Sequence, residues 1–368
     1  LRAVLRDSPN HRMAGDAAGQ RAVDHLLALP AALDVLAPLA SDIESALAGA
    51  EGTRRLDLLH RHIDLLARRG PIGDLTAQAE RWTRSLPSEL FADGLVERAR
   101  ARLAETIKVD VDLLAGAVAH VVSPGRRAVA LAMLARARSW TNDPRTPEAT
   151  EAALAALSPD LPTIDRIQAS GHLAASLQAV DPARALAVLD AAWELAWPRY
   201  PYEALSLLLV RTFVEPMDAL AREQARHLLG RVRPHLCAPA WAEAEVGMAV
   251  ALVDAGEVEA GWELVLDVLP VFEADPSLPV AAFLSNLALR LVFEPERLEV
   301  LLPHLRGYNS RGFERFIEGF ITGEDGELPE DWAQIRSALV NGDPLPAVAD
   351  RRLSRVGMGL RVALRNRR

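Results

Sequence analysis

The chain is poor in the residues that most chemistry and most covalent stapling need. It has one cysteine, Cys237, so no internal disulfide can form, and a reducing, cytoplasmic compartment is expected. Of its 41 basic residues only Lys108 is a lysine, which leaves a single position for any lysine chemistry and matches the codon bias of a high-GC bacterium. Aromatics are 5% of the chain. β-branched runs bounded by turn residues are almost missing, which excludes a sheet-based fold. No apolar run approaches the about 20 residues a membrane span needs. The sequence contains no Gly-rich phosphate loop ending in Lys-Ser or Lys-Thr, no His-Glu-x-x-His and no paired-cysteine zinc pattern. Asp110-Val111-Asp112 falls short of the aspartate-rich motif of all-α isoprenoid synthases. No cofactor, metal or catalytic residue is assigned on this basis.

What the chain does have is alanine and leucine. Half of its 368 residues are hydrophobic, and these two helix formers carry most of that share. Residues 167–305 read as helix, turn, helix, loop, repeated. The turns sit at Asp181-Pro182, Glu215-Pro216, Ala255-Gly256-Glu257 and Glu294-Pro295, at spacings of 34, 40 and 39 residues. Such periods belong to stacked helix pairs. The expected fold class is therefore all-α. The net charge of −9 argues against a nucleic-acid footprint over the whole molecule.

The organisation reads as six stretches. Residues 1–20 are loosely ordered. Residues 21–140 form N-terminal helical pairs, with helices over 54–69, 75–86, 89–104, 111–122 and 126–140. Residues 141–165, with Pro144, Pro147, Pro159 and Pro162, form an irregular connection around a short helix at 148–157. Residues 166–322 hold the regular repeats, closed by a phenylalanine-rich helix at 311–321. Residues 323–346 are an acidic loop, a helix at 332–340 and a linker. Residues 347–368 are a basic helix or tail, whose last 18 positions carry seven arginines and no acid. The chain begins with Leu1, and the expectation is that it is a piece of a larger protein or starts elsewhere, Met13 being one candidate.

The unit at 248–268 resembles a tetratricopeptide repeat. Ala249 and Leu252 on its first helix, Gly256 at the turn and Gly261 and Val265 on its second stand where that pattern puts small, large and turn residues, while Val268 replaces its usual alanine. The unit at 173–192 is similar through Ala174, Leu177, Ala185, Leu189 and Ala192. The family's Trp and Tyr on the first helix are missing, and HEAT-type packing stays open beside it. The resemblance implies a right-handed superhelical array of antiparallel helix pairs, a TPR-like α-solenoid. It also implies a sensor or docking role like that of helical repeats in bacterial signalling and NTPase-associated proteins.

The functional expectation is a non-enzymatic scaffold that binds a protein or peptide. Candidate anchors are Trp193, Trp197, Tyr200 and Tyr202, the densest aromatic group; Phe313, Phe316 and Phe320, on one face of a helix; and Arg351, Arg352 and Arg355 of the basic C-terminus, where contact with an anionic membrane surface is a further option. Each has a plainer reading: inter-repeat packing for the aromatics, and a C-terminal helix covering the last repeat for the arginines. The alternative function is an enzyme on a helical-repeat frame, of the HEAT-like DNA glycosylase type, which would need a basic concave groove with an acid beside a Trp.

Asp57, His60 and Asp64 fall on one arc of a helix, opposite Leu59, Ile63 and Leu66. The spacing could hold a divalent ion, but the plainer expectation is a solvent-facing arc with local pairs four residues apart. His62 is expected to be partly buried. His235 and Cys237, two apart in a loop, lack the orienting third group of a nucleophile pair.

Overall fold

A computed structural model describes residues 47–69, 74–106, 110–141, 143–178, 180–274, 280–305, 311–324, 326, 328–346, 360 and 362–365. Among the described residues the chain is all helical, with no strand. The helices in order are α1 (Gly52–Arg69), α2 (Leu75–Thr83), α3 (Phe91–Thr106), α4 (Val111–Ala117), α5 (Pro124–Trp140), α6 (Thr146–Ala156), α7 (Thr163–Leu177) and α8 (Pro182–Ala196). They continue as α9 (Pro201–Arg211), α10 (Ala219–Val232), α11 (Ala238–Asp254), α12 (Val258–Ala274), α13 (Val280–Arg290), α14 (Pro295–Leu305), α15 (Arg311–Thr322) and α16 (Glu330–Asn341). No helix among the described residues is long and apolar enough to cross a membrane.

The helix starts are written into the sequence. Asp181 caps α8 by accepting from Arg184 N at 3.0 Å, with Pro182 in the first turn. Asp218 caps α10 through Ala221 N at 2.7 Å, and Asp110 caps α4 through Leu113 N at 3.1 Å. Such caps satisfy backbone donors the helix cannot, and each contributes about 1 kcal/mol. Gly256 turns α11 into α12 at φ 85°. Gly261 then lets the second helix close on the first, since a Cβ there would lie 2.9 Å from the Ala249 carbonyl oxygen and from Val253 Cγ2.

Sequential helices pack as neighbours from α1 to α11, and a second set of contacts skips one helix each time. α1 packs on α3, α3 on α5, α5 on α7, α7 on α9, α9 on α11 and α11 on α13. The odd helices therefore run side by side, with α2, α4, α6, α8 and α10 each wedged between two consecutive odd neighbours. The odd row also meets itself, because α1 comes within 8 Å (Cα–Cα) of α11.

The core is continuous across the proline-rich segment. One buried cluster extends from Ala92 to Leu252 and includes Ala149 and Ala153 of α6 and Ile167 of α7. Residues 141–165 are thus no break in packing. The core divides later, on α11, where a second cluster begins at Ala242 and runs to Ala363. Trp241 and Leu264 pack against both. Leu360 and Ala363 of the basic C-terminal stretch are buried in that second cluster, and Arg365 donates to the Asp254 carbonyl.

Candidate functional site

Most of the polar arc of α1 does not face solvent. His60 and Asp64 have side chains 17% and 12% exposed, covered by α3, α5 and α7. This departs from the solvated arc expected of Asp57, His60 and Asp64. The local pair is present, with His60 Nε2 3.5 Å from Asp64 Oδ2, but stronger partners come from elsewhere in the fold. Arg100 of α3 donates through Nη2 to Asp64 Oδ1 at 2.5 Å and to Gln168 Oε1 of α7 at 3.1 Å. Its Nη1 donates to Glu97 Oε2 at 2.9 Å and contacts His60 Nδ1. Arg126 of α5 donates through Nε to Glu97 Oε1 at 2.9 Å and through Nη2 to Asp57 Oδ1 at 2.8 Å. Each of these acids already has a guanidinium, so the arc is bound by arginines rather than poised for a divalent ion. His62 is buried and bonded to Gln78 Oε1 at 2.8 Å.

The electrostatics follow from burial and pairing. Burial opposes ionisation of Glu97, yet the charges of His60, Arg100 and Arg126 together outweigh it and hold the carboxyl far below its ordinary range. Burial disfavours the charged Arg100, but Asp64 and Glu97 reverse that and raise it. Asp165 of α7 behaves differently. Burial pushes its carboxyl up, against the pull of His60, Arg100 and Arg126. Its Oδ2 lies in space that a side chain on Gly125 would occupy, 1.9 Å from where a Cβ would sit.

Further along the same row stands a second group. Arg136 of α5 donates through Nη1 to His172 Nδ1 of α7 at 3.0 Å, and its guanidinium lies 4.2 Å over the Trp140 ring. An arginine can only donate, so His172 accepts at Nδ1 and, when neutral, carries its proton on Nε2. Burial holds His172 well below its ordinary value, helped by the charges of Arg136 and Arg100. Burial also pushes Arg136 down to about 10, with only Glu243 of α11 pulling it back. Among the described residues no carboxylate lies within the 4.0 Å of an ion pair to Arg136, and its buried Nε–H has no partner. Glu243 is exposed to solvent, yet enough protein surrounds it that its carboxyl is raised.

Three contacts between neighbouring odd helices share a separation. Asp64 and Arg100, Arg136 and His172, and the buried pair Asp254 and Arg290 are each 36 residues apart. Arg100 and Arg136 are also 36 apart (136 − 100). Other contacts between neighbouring odd helices span 29 residues (Glu97 with Arg126) and 37 (His60 with Glu97), and Asp254 falls off the series 64, 100, 136, 172, so the separation reflects helix pairs of similar length and not one repeated position. Local pattern could not reveal this network; a search at a period of 36 would have found Asp64 with Arg100 and Arg136 with His172, but not Arg126 with Glu97 or Asp57.

The aromatic candidates take other places. Phe313 and Phe316 are 3% and 0% exposed, packed on Trp332 at centroid distances of 6.0 and 4.6 Å. Buried this deeply, they are core residues and no partner can reach them. Phe320 is half-buried, edge-on to Phe293 and Phe316. Trp193 and Trp197 stack on one another at 5.4 Å and 8°, half-buried against the main core with Tyr200 and Tyr202. Part of each side chain packs between helices and part stays at the surface. Arg351, Arg352 and Arg355 lie outside the described residues. Cys237 sits at the start of α11, and His235 closes the short turn before it. Compared with known protein families, with curated proteins and with solved structures, the chain matches none.

Proposed function

We propose that the chain is a helical-repeat binding module, an α-solenoid of TPR or HEAT type without catalysis of its own, whose odd-helix face takes a peptide or protein segment. The observation that carries this reading is the row of odd helices, each packed on the next from α1 to α13, with polar contacts 36 residues apart at three of those steps. A row of that kind lines up successive units, which suits a ligand running across several of them. The chemistry on the face points the same way. Asp57, Asp64, Glu97 and His172 on it are each bonded to an arginine, which engages them in holding neighbouring helices together.

The glycosylase-type alternative loses support on charge. Asp57, Asp64, Glu97, Asp165 and Glu243 stand among the arginines of the odd row, and a face of mixed sign repels phosphate as much as it attracts it. The test is selection of peptides from a displayed random library by the folded full chain, followed by binding of the synthetic peptides in solution. Micromolar binding by several related peptides is the expected result. A folded chain that selects none overturns the reading.

A further inference from the structure

The arginines of the odd row differ in what meets them. Arg100, Arg126 and Arg290 each donate to a carboxylate on a neighbouring odd helix. Arg136 donates to a histidine instead, and among the described residues no carboxylate stands within 4.0 Å of it. Glu243 acts on it only from beyond that range. Even with its pKa lowered to about 10, Arg136 is a cation at neutral pH, so a full positive charge stands here without a paired acid.

Its guanidinium is fixed on two sides. Nη1 donates to His172 Nδ1 of α7 at 3.0 Å, and the Trp140 ring, one turn on along α5, lies 4.2 Å away. Ser139 Oγ donates to the Ser176 carbonyl oxygen at 3.3 Å, which pins the same α5–α7 seam beside it. Two donors are left over. Nε–H is buried and bonded to nothing, while Nη2 makes no hydrogen bond among the described residues and is not sealed from solvent. Nε and Nη2 share one edge of the planar group, and that edge matches the two oxygens of a carboxylate. Arg136, Trp140 and His172 are all half-buried, so the cluster is open on one side.

A single guanidinium balances a single negative charge. Asp64, Glu97 and Asp165 stand along the same row, and a phosphate dianion would meet their repulsion with one cation to hold it. We infer that the Nη2 edge of Arg136, at the seam of α5 and α7, binds a carboxylate of the ligand, while His172 and Trp140 hold the arginine in place. The carboxylate belongs either to an acidic side chain of a bound peptide or to a free small acid. The inference rests on the odd-helix face being the binding face and names the chemistry that face selects.

The test uses the full chain and Arg136→Met. Peptides selected on the parent from a displayed random library are expected to share an Asp or Glu at one position. Replacing that acid by its amide should weaken binding to the parent about 10-fold or more and leave binding to Arg136→Met nearly unchanged. An arginine with only a structural role would not produce that coupling. A second reading needs no arginine variant. The NMR signals of the His172 ring, assigned with His172→Asn, should move when the parent is saturated with the acid peptide and stay with the amide, because Nδ1 is bonded to the arginine the carboxylate meets. Acetate and inorganic phosphate, at matched ionic strength, are the free probes. Acetate that moves the signals while no peptide is selected makes a free acid the source, which keeps the site and sinks the peptide module. Selected peptides that lose nothing as amides, with acetate inert, sink the site and leave the module standing. The proposal is also overturned if phosphate binds more tightly than acetate, or if neither acetate nor any selected peptide moves the His172 signals.

Discussion

Arg126 Nε donates to Glu97 Oε1 over 2.9 Å, joining α5 to α3 around a carboxylate that is 0% exposed. Glu97 also accepts from Arg100, so one acid holds two cations in place. Glu97→Gln keeps the shape and removes the charge, leaving Arg100 with Asp64 and Arg126 with a partly exposed Asp57. Breaking a buried pair from one side typically costs about 3–5 kcal/mol. Urea unfolding should show a loss of that order, and an unchanged midpoint would mean the network contributes nothing.

Asp254 and Arg290 repeat the relation between α11 and α13, with both side chains 0% exposed and Nη2 bonded to Oδ2 at 3.0 Å. Asp254→Leu alone strands a buried guanidinium and should cost about 3–5 kcal/mol. The double change Asp254→Leu with Arg290→Met removes both charges and should recover most of that loss. A double-mutant cycle measures the coupling, and additive single effects would contradict it.

Acid should weaken the fold in two steps of known sign. His172 is held below its ordinary 6.5, so the unfolded chain takes up a proton that the folded chain refuses as pH falls through that value. The unfolded state then binds more protons, and stability drops from about pH 6.5 downward. Glu97, also held low, adds a loss that begins only near its ordinary 4.5. His172→Asn keeps an acceptor for Arg136 and should remove about 1 kcal/mol of the decline between about pH 7.5 and 5.5. Urea midpoints of parent and variant at the two pH values decide it; equal declines would contradict a neutral His172.

Gly261→Ala and Gly230→Ala should move stability in opposite directions. A Cβ at 261 would press 2.9 Å from a backbone carbonyl oxygen of the facing helix, an overpacking that costs about 1–3 kcal/mol. At 230 nothing lies within 4 Å, and alanine in a helix gains about 0.5–1 kcal/mol over glycine. Thermal unfolding of the two variants separates a seam glycine from an incidental one.

The turns were legible because their chemistry is local. Asp181-Pro182 reads as a cap followed by a first-turn proline in any context, and it is one. The helix at 311–321 was legible for the same reason, and its observed bounds differ by one residue. The polar network was not. The wheel of α1 sets Asp57, His60 and Asp64 opposite a buried apolar arc, but it cannot tell whether that polar side meets water or arginines from residues 100 and 126. Phe313 and Phe316 misled for a related reason. A tryptophan or phenylalanine buries its area wherever packing allows, and Phe316 finds Trp332 and Phe320 before it can meet a partner.

The most direct test of the account is where a bound peptide protects the chain. Hydrogen exchange of the full chain, with and without a display-selected peptide, should slow at α5, α7 and α9, consecutive helices of the odd row. Protection confined to the even helices α6, α8 and α10, with the odd row unchanged, would contradict the claim that the odd face is where this protein binds.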